Sequence, residues 1–218
     1  MRKDRPHAHD LVWCDSPAAL DAGAAGLPDW AGECWHAGLP LVVRRAPLVG
    51  GLLPVGLRGP QRSQRHPAHV RLDRVIRRVT PQDVARARGW RGHPRLDSVP
   101  PLQALIAIAP WLDDWGVDWG ITGATGFELA SGHLALRRDS DLDLTLRCPQ
   151  PLDRAEAQQQ FALLQSAPCR IDIQLETPHG AVALAEWLRG GRCLLKTDLG
   201  PLLVGDPWQA AADQEIAS

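Results

Sequence analysis

The sequence predicts an α+β protein, with a small β-rich N-terminal domain over residues 1–96 and a C-terminal domain over residues 97–218 in which helices flank a mixed sheet. In the first part, short β-prone segments are separated by turns rich in Gly and Pro. In the second part, strand-like and helix-like segments alternate. A stretch that contains Gly and Pro, residues 92–101, is predicted to link the two domains. An apolar fraction of 44% is enough to form a core.

Five segments are predicted in the N-terminal part. Three are strands, at Leu11–Trp13, Leu39–Arg45 and Leu52–Leu57. Asp73–Val79 fits either a strand or a helix. Thr80 begins a helix that runs to Ala87, because it is a good N-cap residue followed by Pro81 at the first helical position.

The C-terminal part is predicted to contain three long helices, with strands or short segments between them. The helices are Leu102–Trp115, Leu152–Gln165 and Ala181–Arg189. The strands are Val117–Thr122, Asp141–Arg147, Cys169–Leu175 and Leu194–Thr197, with short segments at Phe127–Leu129 and His133–Leu136 around a turn at Gly132.

Charge is unevenly distributed along the chain, although the net charge is only −1. Between Arg44 and Arg95 there are 13 Arg, no Lys and two acidic residues, whereas the chain from residue 96 onward is acidic. Arg used without Lys favours bidentate binding of phosphate over a merely solvated surface, which is the alternative. An acidic protein partner is a second possible ligand for these arginines, and the sequence leaves that choice open.

Cysteine usage and hydropathy predict a cytoplasmic protein. The five Cys are widely spaced and form no C-x-x-C pair, so we expect reduced core thiols rather than disulfides or a zinc site. The first nine residues are charged and lack the apolar run of a signal peptide. No segment reaches the roughly 18 apolar residues of a membrane span.

The strongest functional signal is the segment Ser140–Leu144, which carries two acids two residues apart. In a strand, Asp141 and Asp143 project from one face while Leu142 and Leu144 point into a core. Paired carboxylates repel each other unless a cation lies between them, and Mg²⁺ is commonly held by one or two carboxylates together with substrate phosphates. The pair therefore indicates phosphoryl or nucleotidyl transfer, although such pairs also occur on exposed strands with no function.

Two further features strengthen this interpretation. Asp172 lies between Ile171 and Ile173 in an alternating strand, so it faces away from the core and joins the acid pair if the two strands are neighbours. A small-residue turn at Gly123 and Ala124 follows a strand and allows backbone N–H groups to approach phosphate. Three carboxylates on one sheet face can hold two divalent ions for in-line displacement at phosphorus.

This order of motifs resembles the nucleotidyltransferase fold: a Gly turn, then Asp-x-Asp on the next strand, then a third Asp on a neighbouring strand. Two departures are Ala124, which stands where Ser or Gly is usual, and the long gap from Gly123 to Asp141. The resemblance implies a nucleotidyltransferase-type C-terminal domain, with the active site between the two domains.

A longer set of motifs, from about residue 6 to residue 208, resembles the phosphoribosyl-dephospho-CoA transferase family, the holo-acyl-carrier-protein synthases of malonate decarboxylase. No single motif except the acid pair is very specific, but their number and order are. They are Pro6-His7 with His9–Trp13, Val42–Arg45, Val55–Arg62, Thr125–Gly132, Ser140–Leu144, Glu176–Pro178, Gly200-Pro201 and Pro207-Trp208.

The resemblance implies transfer of phosphoribosyl-dephospho-CoA from 2′-(5″-triphosphoribosyl)-3′-dephospho-CoA to a serine of the apo acyl carrier protein subunit, with release of pyrophosphate. It implies no nucleic acid and no membrane partner. Asp141, Asp143 and Asp172 would then bind Mg²⁺, and Asp172 would help to remove the serine proton. Gly123 with Ala124, and Arg58 with Arg62 and Arg65, would contact phosphates of the donor.

Two other functions remain open at this point. One is a nucleotidyltransferase that acts on a small molecule. The other is a catalytically silent domain of the same fold with a regulatory role, although retention of all three acids counts against it.

Overall fold

The computed structural model describes residues 5–209, apart from 37, 60, 62 and 165. Arg62, one of the arginines expected to contact phosphate, is therefore outside the described residues. Two six-stranded sheets make up this part of the chain. No helix in the described ranges combines the length and the apolar character that a membrane crossing requires.

The N-terminal sheet is antiparallel throughout, with strand order β2-β5-β4-β3-β1-β6. One face is closed by a short helix and by a core that includes Val12, Leu53, Val55 and Val70, all almost fully buried. The elements are β1 (Leu11–Cys14), β2 (Leu20–Asp21), α1 (Trp30–His36), β3 (Leu41–Val43), β4 (Leu52–Arg58), β5 (Arg65–Arg71) and β6 (Val75–Val79).

The C-terminal sheet is mixed, with strand order β12-β11-β10-β9-β8-β7, and β8 and β9 form its parallel pair. Its elements, including the helices around it, are α2 (Pro81–Ala87), α3 (Pro100–Asp114), β7 (Asp118–Ile121), α4 (Gly123–Ser131), β8 (Leu142–Arg147), α5 (Arg154–Leu164), β9 (Ile171–Thr177), β10 (Gly180–Ala183), α6 (Leu184–Arg189), β11 (Cys193–Thr197) and β12 (Gly200–Val204). The predicted α+β class is thus confirmed.

Helix α2 connects the two sheets. Thr80 caps it as predicted, in a capping box in which Thr80 Oγ1 accepts from Asp83 N and Asp83 Oδ2 accepts from Thr80 N. The helix packs so closely on β7 that a Cβ added at Gly120 would lie 2.6 Å from the Pro81 carbonyl carbon. Val84 and the buried Trp90 belong to the same apolar core as the C-terminal sheet.

Several predicted elements differ from the structure. Phe127–Leu129 is the interior of helix α4 rather than a short segment, and Gly180–Ala183 is strand β10, so the helix predicted from Ala181 begins only at Leu184. Strands β2, β5 and β12 were not predicted. β5 was missed because its sequence RHPAHVR is polar and contains Pro67, and its alternate residues are exposed.

Candidate functional site

Two of the three predicted carboxylates stand side by side. Strands β8 and β9 are parallel and in register, so Asp143 is the direct partner of Asp172. Leu142, Leu144, Ile171 and Ile173 are buried on the other face, which forces the acidic side chains to the opposite face. Asp141 immediately precedes β8, so all three acids gather at the same end of the parallel pair.

This arrangement leaves Asp143 with poorly compensated negative charge. Burial is the largest cause that raises the pKa of its carboxyl, and the nearby Asp172 and Asp141 raise it further. Arg170 and Arg58 act in the opposite direction. A cation bound near Asp143 would relieve both the desolvation and the repulsion.

Arg170 is the cation that contacts this cluster, and sequence reasoning missed it. Its Nε donates to Asp172 Oδ1 at 3.1 Å and its Nη2 to Asp172 Oδ2 at 2.5 Å, while Nη1 lies 3.9 Å from Asp141 Oδ2. The side chain is 69% exposed, so it is free to move into solvent. The signal was available, because Arg170 precedes Asp172 by two residues in an alternating strand and so shares its face.

Within the described residues, no group of three or more His, Cys, Asp and Glu side chains is arranged to hold a metal ion. The donor set nevertheless fits Mg²⁺ of the kind completed by a substrate. Such an ion needs only one or two carboxylates, which Asp141 and Asp143 supply, and takes its other oxygens from water and phosphate.

Gly123 lies directly against this cluster. It has a φ of +62° and begins helix α4, and an added Cβ would collide with the Asp143 carboxylate. The preceding Thr122 N donates to the Asp143 backbone oxygen at 2.9 Å. Gly123 and Ala124 are therefore the first residues of a helix rather than a free turn, and they hold that helix close to the acid pair.

Arg58 approaches the same point from the N-terminal sheet. It ends β4, its guanidinium lies 5.0 Å from the Phe127 ring centroid, and its Nη2 donates to Ala135 O at 3.3 Å. Burial, followed by the nearby Arg65 and Arg137, lowers the pKa of Arg58 to about 10, whereas Asp143 and Glu128 act to raise it. Arg58 and Asp143, one from each sheet, line the same cleft.

A cleft of about 1010 Å³ lies between the sheets. Its walls include Arg58 and Arg65 from the first sheet and Gly123, Asp141 and Asp143 from the second. Asp172 is not part of the wall; it lies beside Asp143, paired with Arg170. The structure thus brings the predicted residues together around one cleft, except for Asp172, which is not among the lining residues, and Arg62, which is not described.

Glu128 holds in place the segment around Ala135 and Leu136, which lines one side of the cleft. Its side chain is only 1% exposed, and Oε2 accepts from Ala135 N at 2.6 Å and Leu136 N at 2.7 Å. Arg95 Nη1 donates to the other oxygen at 3.0 Å, and His93 Nε2 lies 3.4 Å from it. Nothing in the sequence distinguishes this buried acid from one on a helix surface.

A second pair of charges joins the sheets at the far end of the parallel strands. Arg45 Nη2 donates to both carboxylate oxygens of Glu176, at 2.6 and 2.7 Å. His9 lies 3.9 Å from Glu176 and has a φ of +74°, which a non-glycine residue rarely adopts. The Arg45–Glu176 pair thus ties the N-terminal sheet to strand β9.

Comparison with known proteins agrees with this two-part structure. A family model described as "Phosphoribosyl-dephospho-CoA transferase MdcG C-terminal domain" matches residues 91–207, and one described as "Phosphoribosyl-dephospho-CoA transferase MdcG N-terminal domain" matches residues 7–81. No solved structure matches the chain significantly.

Curated relatives match over almost the whole chain. A phosphoribosyl-dephospho-CoA transferase of Pseudomonas putida (strain GB-1) is 48% identical over 206 residues, covering 94% of this chain and 96% of the relative. Proteins of the same name from Klebsiella pneumoniae (strain 342) and Azotobacter vinelandii (strain DJ / ATCC BAA-1303) are each 45% identical. These matches cover 93% and 95% of this chain, respectively, and 96% of each relative.

Proposed function

This chain belongs to the phosphoribosyl-dephospho-CoA transferase family, and we propose that it transfers the phosphoribosyl-dephospho-CoA group to a serine of an apo acyl carrier protein, the carrier subunit of malonate decarboxylase. The donor is 2′-(5″-triphosphoribosyl)-3′-dephospho-CoA, and the second product is pyrophosphate. The reaction is a nucleotidyl-type transfer in the cytoplasm, a compartment that suits the five free thiols.

In the proposed step, the serine Oγ attacks the α-phosphorus of the triphosphate and the bond from that phosphorus to the α–β bridging oxygen breaks. The serine loses its proton, and the electron pair of the broken bond leaves with pyrophosphate. Asp141 and Asp143 would hold Mg²⁺, which would supply positive charge to offset that of the phosphates. Asp172, beside Asp143, accepts the serine proton once Arg170 turns away.

The observation that carries the proposal is the meeting of opposite charges in one cleft. Asp141 and Asp143 on one wall suit a divalent cation, and Arg58 on the other suits phosphate. A triphosphate complexed with Mg²⁺ presents both partners at once. The cleft volume of about 1010 Å³ is in the range of pockets that enclose sizeable ligands.

The test is the mass of the carrier after reaction. Purified protein, apo carrier subunit, the triphosphoribosyl donor and Mg²⁺ are incubated, and the carrier is analysed by intact-protein mass spectrometry. We expect one phosphoribosyl-dephospho-CoA group per carrier, and no gain when the acceptor serine is replaced by Ala. A carrier of unchanged mass after full incubation would overturn the proposal.

The two alternative functions predict different results in the same assay. A nucleotidyltransferase acting on small molecules would leave the carrier unmodified and would release pyrophosphate only after a small-molecule acceptor is added to receive the transferred group. A silent regulatory module would leave both donor and carrier unchanged.

A further inference from the structure

Three arginines gather at one side of the cleft. Arg58 and Arg65 are direct register partners across β4 and β5, and Arg137 approaches from the segment between α4 and β8. Like charges placed directly opposite each other on neighbouring strands destabilise a sheet. All three side chains line the cleft, so this costly arrangement faces its interior.

The crowding is visible at Arg58. After burial, the proximity of Arg65 and of Arg137 are the next causes that lower its pKa to about 10. Within the described part of the chain, no carboxylate lies within 4.0 Å of Arg58 or Arg137. Glu128, which acts on Arg58 from a distance, is already bonded to Arg95.

The position of Arg58 is fixed before any ligand binds. Phe127 lies under its guanidinium, and Ala135 O accepts one of its N–H groups. Ala135 is held in turn by its N–H bond to the buried Glu128. A guanidinium held in this way loses little conformational entropy when it binds an anion, which favours tight binding.

We infer that Arg58, Arg65 and Arg137 form a built anion site that binds the departing pyrophosphate of the donor. This inference rests on the proposed function and adds Arg137 to the residues that act in it. It also assigns these arginines to the triphosphate rather than to the diphosphate within the CoA portion or to the surface of the carrier. The reason is that these arginines line the same cleft as Asp141 and Asp143, so an anion bound to them shares that cleft with the carboxylates proposed to bind the metal.

The chemistry gives this site a role beyond affinity. When the bond between the α-phosphorus and the bridging oxygen breaks, negative charge grows on the β-phosphate. Positive groups already in place at that position stabilise the charge as it develops. Arg137 contributes from the segment that precedes β8, whereas Arg58 and Arg65 contribute from the N-terminal sheet, so the departing pyrophosphate would contact both halves of the cleft.

The test measures binding of inorganic pyrophosphate to the full chain by isothermal titration calorimetry, without divalent metal. Arg137→Ala is the key variant, because its side chain is exposed and its loss should not affect folding. Arg138→Ala is the matched control, since it removes the same charge one residue away, outside the cleft lining. Arg58→Lys keeps the charge but removes the planar fork.

We expect Arg137→Ala to weaken pyrophosphate binding by about tenfold or more, the usual worth of a charge-assisted hydrogen bond. Arg58→Lys should weaken it as well, and Arg138→Ala should leave it within about twofold, the small effect expected of a surface substitution. Unchanged binding in Arg137→Ala, or an equal loss in Arg138→Ala, would overturn the anion site.

The outcome is separable from that of the carrier assay. If pyrophosphate binding depends on Arg137 while no group reaches the carrier, the anion site stands and the acceptor assignment falls. If the carrier is modified while the Arg137 variant binds pyrophosphate like the wild type, the anion site falls and the transfer function stands.

Discussion

Asp143 on β8 lies directly beside Asp172 on β9, in register across the only parallel strand pair within the described residues of the C-terminal sheet. Antiparallel pairing, as in the rest of that sheet, would have brought Asp143 opposite a residue nearer the far end of β9. Parallel pairing instead brings the starts of both strands, and with them all three acids, to the same end of the sheet. The cost is repulsion, which contributes to the raised pKa of Asp143.

Replacing Asp143 with Asn should therefore stabilise the metal-free protein and inactivate it. Asn removes a poorly compensated charge at a site where burial and two neighbouring acids oppose ionisation. We expect the melting temperature in EDTA to rise and the transfer rate with Mg²⁺ to fall by roughly 10³-fold, the effect of losing a few kcal/mol of metal stabilisation. A lower melting temperature of the Asp143→Asn variant in EDTA would contradict a destabilising charge at Asp143.

The second prediction concerns the glycine that touches this acid. Gly123→Ala should reduce transfer strongly, because the new Cβ collides with the Asp143 carboxylate in addition to the strain of a φ of +62°. Gly132→Ala is the matched control, with a φ of +76° and no atom within 4 Å of the added Cβ. Both variants should lose about 1–2 kcal/mol of stability from backbone strain. Only the Gly123 variant should lose activity, and equal activity in the two would contradict the proposed contact.

The third prediction concerns Glu128, a positioning residue for Arg58. Glu128→Ala leaves the N–H groups of Ala135 and Leu136 and the charge of Arg95 without their acceptor. We expect a loss of about 3–5 kcal/mol in the free energy of unfolding, typical of breaking a buried ion pair. The exposed Glu156→Ala should change it by less than about 0.5 kcal/mol.

If Glu128 positions Arg58, its replacement should also change donor binding, which a loss of stability alone would not do. In Glu128→Gln, which keeps an acceptor for the backbone, the KM for the donor should rise more than kcat falls. A stable Glu128→Gln enzyme with wild-type KM would argue that Glu128 serves folding alone.

The fourth prediction concerns the contact that joins the sheets. Arg45→Ala removes two short bonds to Glu176 in a pair whose side chains are only 18% and 23% exposed. We expect lower stability and a higher KM for the donor, because the cleft is formed between the two sheets. Arg71→Ala, in a pair with 62% exposure on both sides, should leave both stability and kinetics nearly unchanged.

The fifth prediction is that the native thiols react slowly. All five Cys are free, four are buried, and burial raises the pKa of Cys148 to about 12 and that of Cys169 to about 11. At pH 8 these thiols are almost wholly protonated and so react poorly. Ellman's reagent should label five thiols rapidly in guanidinium chloride and few in the native protein, with the half-buried Cys169 first. Rapid labelling of Cys148 in the folded protein would contradict its buried position.

The sequence predicts those strands and helices in which apolar and polar residues alternate with a clear period or in which a capping motif is present. The alternation around Asp143 and Asp172 identifies both strands and the faces that carry the acids, and Thr80-Pro81 identifies the start of α2. It does not predict β5, where polar residues and Pro67 hide a strand that pairs fully with β4. It also misassigns Ala181 to a helix, because short runs of small apolar residues suit either state.

The tertiary contacts are what the sequence could not supply. Asp143 and Asp172 lie at the same end of the sheet because β8 and β9 pair in parallel. Arg58 lines the cleft with Asp143 because of the way one sheet packs over the other. Arg137 lies in the segment before β8 and Glu128 lies within α4, so sequence spacing alone does not place either of them near Arg58. Their roles follow only from the hydrogen bonds and charges that the fold brings together.

We propose that Asp141 and Asp143 bind a divalent ion next to a phosphate that is bound by Arg58. The most direct measurement is a crystal structure with Mn²⁺ and pyrophosphate, in which the anomalous signal locates the metal independently of any assay. We expect one peak within about 2.0–2.3 Å of both Asp141 and Asp143 oxygens, close to the metal–oxygen distance of Mg²⁺ sites, with pyrophosphate contacting Arg58 and Arg137. The proposal would be contradicted by a peak elsewhere, or by pyrophosphate bound away from Arg58 while Arg170 stays paired with Asp172.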